Sequence, residues 1–327
     1  MKTIITSSLI VTASALLLMS CNKDEIIQSV TVTVPGEGNF RPATAASSAT
    51  STRVYEWTPA PGQFINETTM IGSISGDITP EKAAEWAQKR LDDRLYVSLG
   101  GFGGYIVVGF DHSIANSNGS YDFAIMGNSY FNEATGQGGS NEPGIVYVMQ
   151  DTNGNGLPDD TWYELRGSET GKTGTMRDYA VTYTRPSAAG SDVQWIDNKG
   201  NSGTISYIGF VHTQDYYYPL WIKSDSYTLT GTCLAARTSQ DASTGMWNNN
   251  PYEWGYADNM GQDNTETVYG KQCNRFRISD AINADGTDAS LSYIDFVKVQ
   301  TGVNSKAGAL GEVSTEVFGF ADLSILK

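Results

Sequence analysis

The chain has 327 residues, of which only 17% are charged, while Gly (35), Tyr (18) and Trp (7) are plentiful. This turn-rich, aromatic composition fits an exported β-protein better than a helical cytosolic enzyme. The 36 acidic residues outnumber the 21 basic ones, and a net charge of -15 argues against nucleic acid as a partner. With 2 histidines and 3 cysteines, His/Cys-rich metal catalysis is disfavoured as well.

Lys2 is followed by an uncharged stretch, Thr3 to Ser20, that closes in Leu18-Met19-Ser20-Cys21. Its polar residues Thr6, Ser7, Ser8, Thr12 and Ser14 argue against an uncleaved membrane span. The closing tetrapeptide resembles a bacterial lipobox. The resemblance implies a signal peptide over 1–20, cleavage before Cys21, and a lipidated Cys21 that anchors the protein in the outer membrane. Lys23-Asp24-Glu25 is similar to the export signal of Bacteroidota surface lipoproteins and implies display on the outer face. From Gln28 to Arg53 the chain is rich in Ser, Thr, Ala, Pro and Gly. That composition predicts a flexible linker over 21–52, ahead of a single ligand-binding domain over 53–327.

Within the body one helix stands out: Thr79 is a plausible N-cap, Pro80 takes the first position, and Ala83, Ala87 and Leu91 share a stripe. The rest of the body reads as strand and turn. The candidates are Leu95–Leu99, Tyr105–Phe110, Tyr121–Met126, Gly144–Gln150, Thr161–Arg166, Tyr179–Thr184, Thr204–Val211, Tyr227–Thr230, Tyr293–Val299 and Val313–Leu323. Their spacing predicts an all-β fold, an antiparallel jelly-roll-like β-sandwich with one or two short helices. No βαβ alternation is present, which excludes a doubly wound nucleotide fold.

The run Val97-Ser98-Leu99-Gly100-Gly101-Phe102-Gly103-Gly104-Tyr105-Ile106-Val107-Val108-Gly109-Phe110-Asp111 resembles bacterial cell-surface jelly-roll proteins. Tyr121-Asp122-Phe123, Pro143 to Gln150 and Ile294 to Val299 extend the likeness over nearly the whole body. Such domains are similar to galactose-binding and discoidin-like sandwiches, which implies loops at one end that hold a ligand or a calcium ion. The glycines at 100–104 are followed by a strand rather than a helix, so they make a tight turn and not a phosphate cradle.

Asp151-Thr152-Asn153-Gly154-Asn155-Gly156-Leu157-Pro158-Asp159-Asp160 is the strongest chemical motif. Oxygens from Asp151, Asn153 and Asn155, the Leu157 carbonyl, and Asp159 or Asp160 are spaced to wrap calcium, and the loop resembles those of dockerins and thrombospondin type 3 repeats. Trp162 stands where an EF-hand has its bidentate glutamate, and an Asx-rich hairpin turn without metal is the competing reading. Cys233 and Cys273 are expected to pair as a disulfide in an oxidising compartment, stabilising the fold by about 4 kcal/mol. Two buried free thiols are the alternative. His112 and His212 read as structural, because no G-x-S-x-G elbow frames a nucleophilic serine.

The segment 246–260 is irregular yet aromatic, and it is the expected ligand face. Trp247, Tyr252, Trp254 and Tyr256 would supply contact area, with Asn248, Asn249 and Asn250 supplying hydrogen bonds. A loop folded onto its own aromatic mini-core is the alternative. The body is similar to cell-surface lipoproteins that accompany corrinoid-uptake systems of Bacteroidota. That resemblance implies non-catalytic capture of a cobamide such as vitamin B12 for a TonB-dependent transporter. A glycan-binding lipoprotein is the first rival, and a calcium-dependent polysaccharide hydrolase the second.

Overall fold

Thr79 caps a helix over Pro80–Asp92 by accepting the Lys82 amide at 3.3 Å, and Pro80 occupies a position where no amide donor is required. The helix buries Ala83, Ala84, Ala87 and Leu91, as the spacing predicts. Trp86 lies at the edge of the same face and stacks on Trp57 at 5.1 Å, with Trp221 on the other side of Trp57 at 4.8 Å. This computed structural model describes residues 38–66, 78–130, 139–210, 212, 214–264 and 266–326. The expected signal peptide, the Cys21 lipidation site and Lys23-Asp24-Glu25 lie outside the described residues.

Apart from that helix and two short 3-10 turns, the regular structure described is β, and every strand pairing is antiparallel. The fold is an all-β sandwich. Its largest sheet has six strands in the order Arg53–Thr58, Tyr105–Ala115, Tyr293–Thr301, Gly144–Met149, Trp162–Leu165, Ala281–Ile282. The middle strand Tyr293–Thr301 is buried along almost its whole length, Asp295 and Gln300 included. A four-stranded sheet (Glu266–Val268, Lys271–Phe276, Phe123–Met126, Gly319–Asp322) contributes Phe123, Ile125, Phe276 and Phe320 to the same core. A second four-stranded sheet (Ser226–Cys233, Met176–Thr184, Val193–Asp197, Ser202–Ile205) keeps one face wet. Along it Tyr179, Val181 and Tyr183 alternate inward, and they close on Phe102 from the glycine turn and on Tyr217 and Tyr218.

Three expectations are corrected. The body reaches back before Arg53: Thr52 N donates to Gly109 O (2.9 Å), Ser51 N to Phe320 O (3.1 Å), and Arg41 pairs with the buried Asp295 (3.0 Å). Residues 39–52 therefore lace across two sheets. Small polar residues achieve this through backbone hydrogen bonds, which composition does not reveal. The strand expected over Val313–Leu323 is two short ones, Glu316–Val317 and Gly319–Asp322, broken at Phe318 just before Gly319, whose φ is 153°. Cys233 and Cys273 are not joined to each other: they are buried in different apolar clusters, so the expected disulfide does not form. Burial pushes the Cys233 thiol up to about 11, which keeps it protonated and inert.

Candidate functional site

Two backbone events bring distant acids together. Gly144 and Ala257 exchange hydrogen bonds at 2.9 and 3.0 Å, and Glu142 N donates to Asp258 O at 3.0 Å. This sets Asp258 beside Glu142. The Asp258 carboxylate then accepts Asn128 N on Oδ1 (2.9 Å) and Glu316 N on Oδ2 (3.0 Å), so it ties three chain segments together. Gly127 is obligatory here, because a Cβ on it would sit 2.7 Å from Asp258 Oδ1. Carboxylate oxygens of Glu142, Asp258 and Glu316 lie within 4.8 Å of one another. Asp258 and Glu316 are buried and Glu142 is half-buried.

Glu142 and Glu316 line the floor of a cleft of about 370 Å³, and Asp258, 1% exposed, stands behind them. Glu312 joins them, its Oε1 accepting the Gln63 amide at 2.7 Å. Phe64, Ile208, His212 and Trp247 supply most of the apolar wall. Phe64 meets the His212 ring edge-on at 4.6 Å, which fixes that wall. Burial raises every carboxyl on the floor. Desolvation pushes Glu312 up to about 7, and it raises Glu142, Asp258 and Glu316 with added repulsion between neighbours at Glu142 and Glu316. Glu142 and Glu316 interact directly, and burial together with their mutual repulsion holds Glu316 well above the usual carboxylate range. Among the described residues no Lys or Arg forms an ion pair with any of the four.

The expected ligand face divides. Trp247 and Asn249 line the cleft. Trp254 instead lines a separate pocket of about 260 Å³, beside Tyr121, Arg166, Arg275 and Arg277. Tyr252 and Tyr256 are 2% and 3% exposed and pack with Ile145, Leu234, Val303 and Val313. They form the mini-core, so they are not surface contacts. Asn248 Oδ1 accepts Gly139 N (3.2 Å), Asn249 Oδ1 accepts the Thr238 hydroxyl (2.8 Å), and Asn250 Nδ2 donates to Arg237 O (3.1 Å). These amides hold a ribbon, Thr238–Gln240 against Trp247–Asn249, where the sequence reads only loop.

The 151–160 loop gathers its expected residues, and its side-chain oxygens accept hydrogen bonds from within the loop. Asp151 accepts Gly154 N (2.7 Å) and Gly156 N (2.9 Å), Asn153 Oδ1 accepts Asn155 N (2.9 Å), and Asn155 Oδ1 accepts Leu157 N (2.7 Å). Asp159 takes the Asn153 and Asn155 amides at 3.0 and 2.9 Å, Asp160 takes the Thr152 amide at 3.0 Å, and Leu157 O accepts Asp159 N at 2.9 Å. Among the described residues the carboxylates of Glu142, Asp258 and Glu316 come within 4.8 Å of one another. Sequence reasoning did not find the triad because its members are more than 50 positions apart and share no motif. The one available signal was two glutamates in an otherwise uncharged stretch, Glu312-Val313-Ser314-Thr315-Glu316-Val317.

No protein-family model matches the chain, and no curated protein matches its sequence. Among the described residues no helix is long and apolar enough to cross a membrane.

Proposed function

We propose that the protein captures a nutrient ligand without transforming it, at the outer surface of a bacterial outer membrane, and passes it to a TonB-dependent transporter. The observation that carries this reading is the cleft itself, an aromatic wall of Phe64 and Trp247 above an acceptor-rich floor of Glu142, Glu312 and Glu316. Flat amphipathic ligands suit such a site: a ring face lies on the indole while N–H or O–H groups point at the carboxyls. A cobamide, with its planar corrin and a fringe of carboxamides, meets both demands and is the first ligand on the strength of the sequence resemblance. A glycan meets them with hydroxyls. The convergence of three carboxyls beside the cleft supports a second reading as a calcium-dependent polysaccharide-active hydrolase.

Calorimetric titration with cobalamin and with a panel of glycans, followed by product analysis, separates these readings. Saturable cobalamin binding that weakens about thirtyfold in Trp247→Ala, a loss of about 2 kcal/mol, is the expected result. Heat from glycans alone, or turnover of any of them, transfers the conclusion to the corresponding rival. No response to either class, or an unaltered affinity in Trp247→Ala, removes the cleft as the capture site.

A further inference from the structure

Glu142, Asp258 and Glu316 come from a strand approach, a buried loop and a short strand, yet their ligand atoms converge to within 4.8 Å. Backbone amides fix two of them: Asn128 N and Glu316 N bind the Asp258 oxygens, and Ser314 N binds Glu142 Oε1 at 3.2 Å. A carboxylate oxygen that accepts one such bond keeps a second lone pair, so all three remain able to ligate. A second observation is independent of the cluster geometry. Glu312 is 4% exposed, lines the same cleft, and its Oε2 has no hydrogen-bond partner. Glu316, also 4% exposed, has an unpartnered Oε1. Buried acceptors in native proteins are almost always satisfied, so two orphaned oxygens over one cavity mark a missing positive or donating species.

We propose that Glu142, Asp258 and Glu316 bind a hard divalent cation, calcium, at the floor of the cleft. The protein's own donors leave Glu316 Oε1 and Glu312 Oε2 bare. A cation on the three carboxylates offsets their charge together, and a coordinated water reaches Glu312. The donor set is all oxygen, which disfavours thiophilic metals, and calcium accepts irregular oxygen shells where magnesium demands a near-octahedral one. The 151–160 loop differs in that none of its buried side-chain oxygens is left without a partner. The inference stands apart from the capture reading: a cation site in the floor serves a bound ligand or simply fastens three chain segments.

The test uses the full chain freed of divalent ions by chelation and titrated with calcium by calorimetry, and with terbium by luminescence excited through the tryptophans. Wild type is expected to bind calcium saturably and to melt higher when loaded. Glu316→Gln keeps the side chain's shape, and its calcium affinity should fall about tenfold or more. Asp159→Asn, an exposed change in the 151–160 loop, should leave calcium binding unchanged. The proposal is overturned if wild type shows neither calcium heat nor a melting shift. It is equally overturned if Glu316→Gln binds like wild type, or if Asp159→Asn alone abolishes binding.

Discussion

Glu312→Gln should remove the share that Glu312 contributes to a loss of stability between weakly acidic and weakly basic solution. Glu312 is 4% exposed; its Oε1 accepts the Gln63 amide at 2.7 Å and its Oε2 is unpartnered. Desolvation pushes this carboxyl from its ordinary 4.5 up to about 7. A raised folded value means that the native state holds a proton which the unfolded chain has already released. The associated stability is therefore complete below pH 4.5, drains away as pH rises, and is gone above about 7. A gap of two to three units corresponds to about 3 kcal/mol, lost at up to about 1.4 kcal/mol per pH unit. Glutamine preserves the acceptor for Gln63 and cannot ionise, but its amide NH2 replaces Oε2 without a partner, which costs about 1 to 3 kcal/mol at every pH. The variant should thus be the weaker protein at pH 5 and draw level with or overtake wild type at pH 8. Urea unfolding at pH 5, 6, 7 and 8, with EDTA present to exclude divalent cations, gives the difference directly. A stability difference that stays constant across that range would refute the reasoning, because it would mean that Glu312 titrates normally.

His112 supplies a pH response of its own. Asp322 and Asp111 hold its two ring nitrogens at 2.8 and 2.7 Å and raise its value above the ordinary 6.5, so its contribution is full below 6.5 and fades as pH climbs through the folded value. The His112 ring resonance should titrate above 6.5, and His112→Gln should flatten that part of the stability profile; a ring that titrates below 6.5 contradicts the pairing. For the cysteines, a thiol reagent should leave Cys233 and Cys273 untouched in the native protein and label both in denaturant without any reductant. Mass analysis that finds the two joined before reduction would restore the disulfide.

The class of the fold and its one helix are legible along the chain, because both rest on local rules. Thr79 and Pro80 start a helix by their own chemistry, and the β-rich runs around Tyr105, Gly144 and Tyr293 admit few alternatives to strands. Local rules also place the glycine turn at 100–104, where Gly100 and Gly103 adopt φ of 69° and 84°. Whether an aromatic faces solvent or core is a different matter, since Trp247 and Tyr252 have the same local credentials. Only packing against Ile145, Val303 and Val313 buries Tyr252, while Trp247 is left on a cleft wall. The thiols follow the same logic: composition permits a bridge, but strand order puts Cys233 and Cys273 into separate sheets. Most of all, the acidic floor is a product of tertiary structure. Glu142, Asp258 and Glu316 meet because the Gly144–Ala257 bridge and the Glu316 amide bring remote segments to one point, and no spacing along a chain encodes such a meeting.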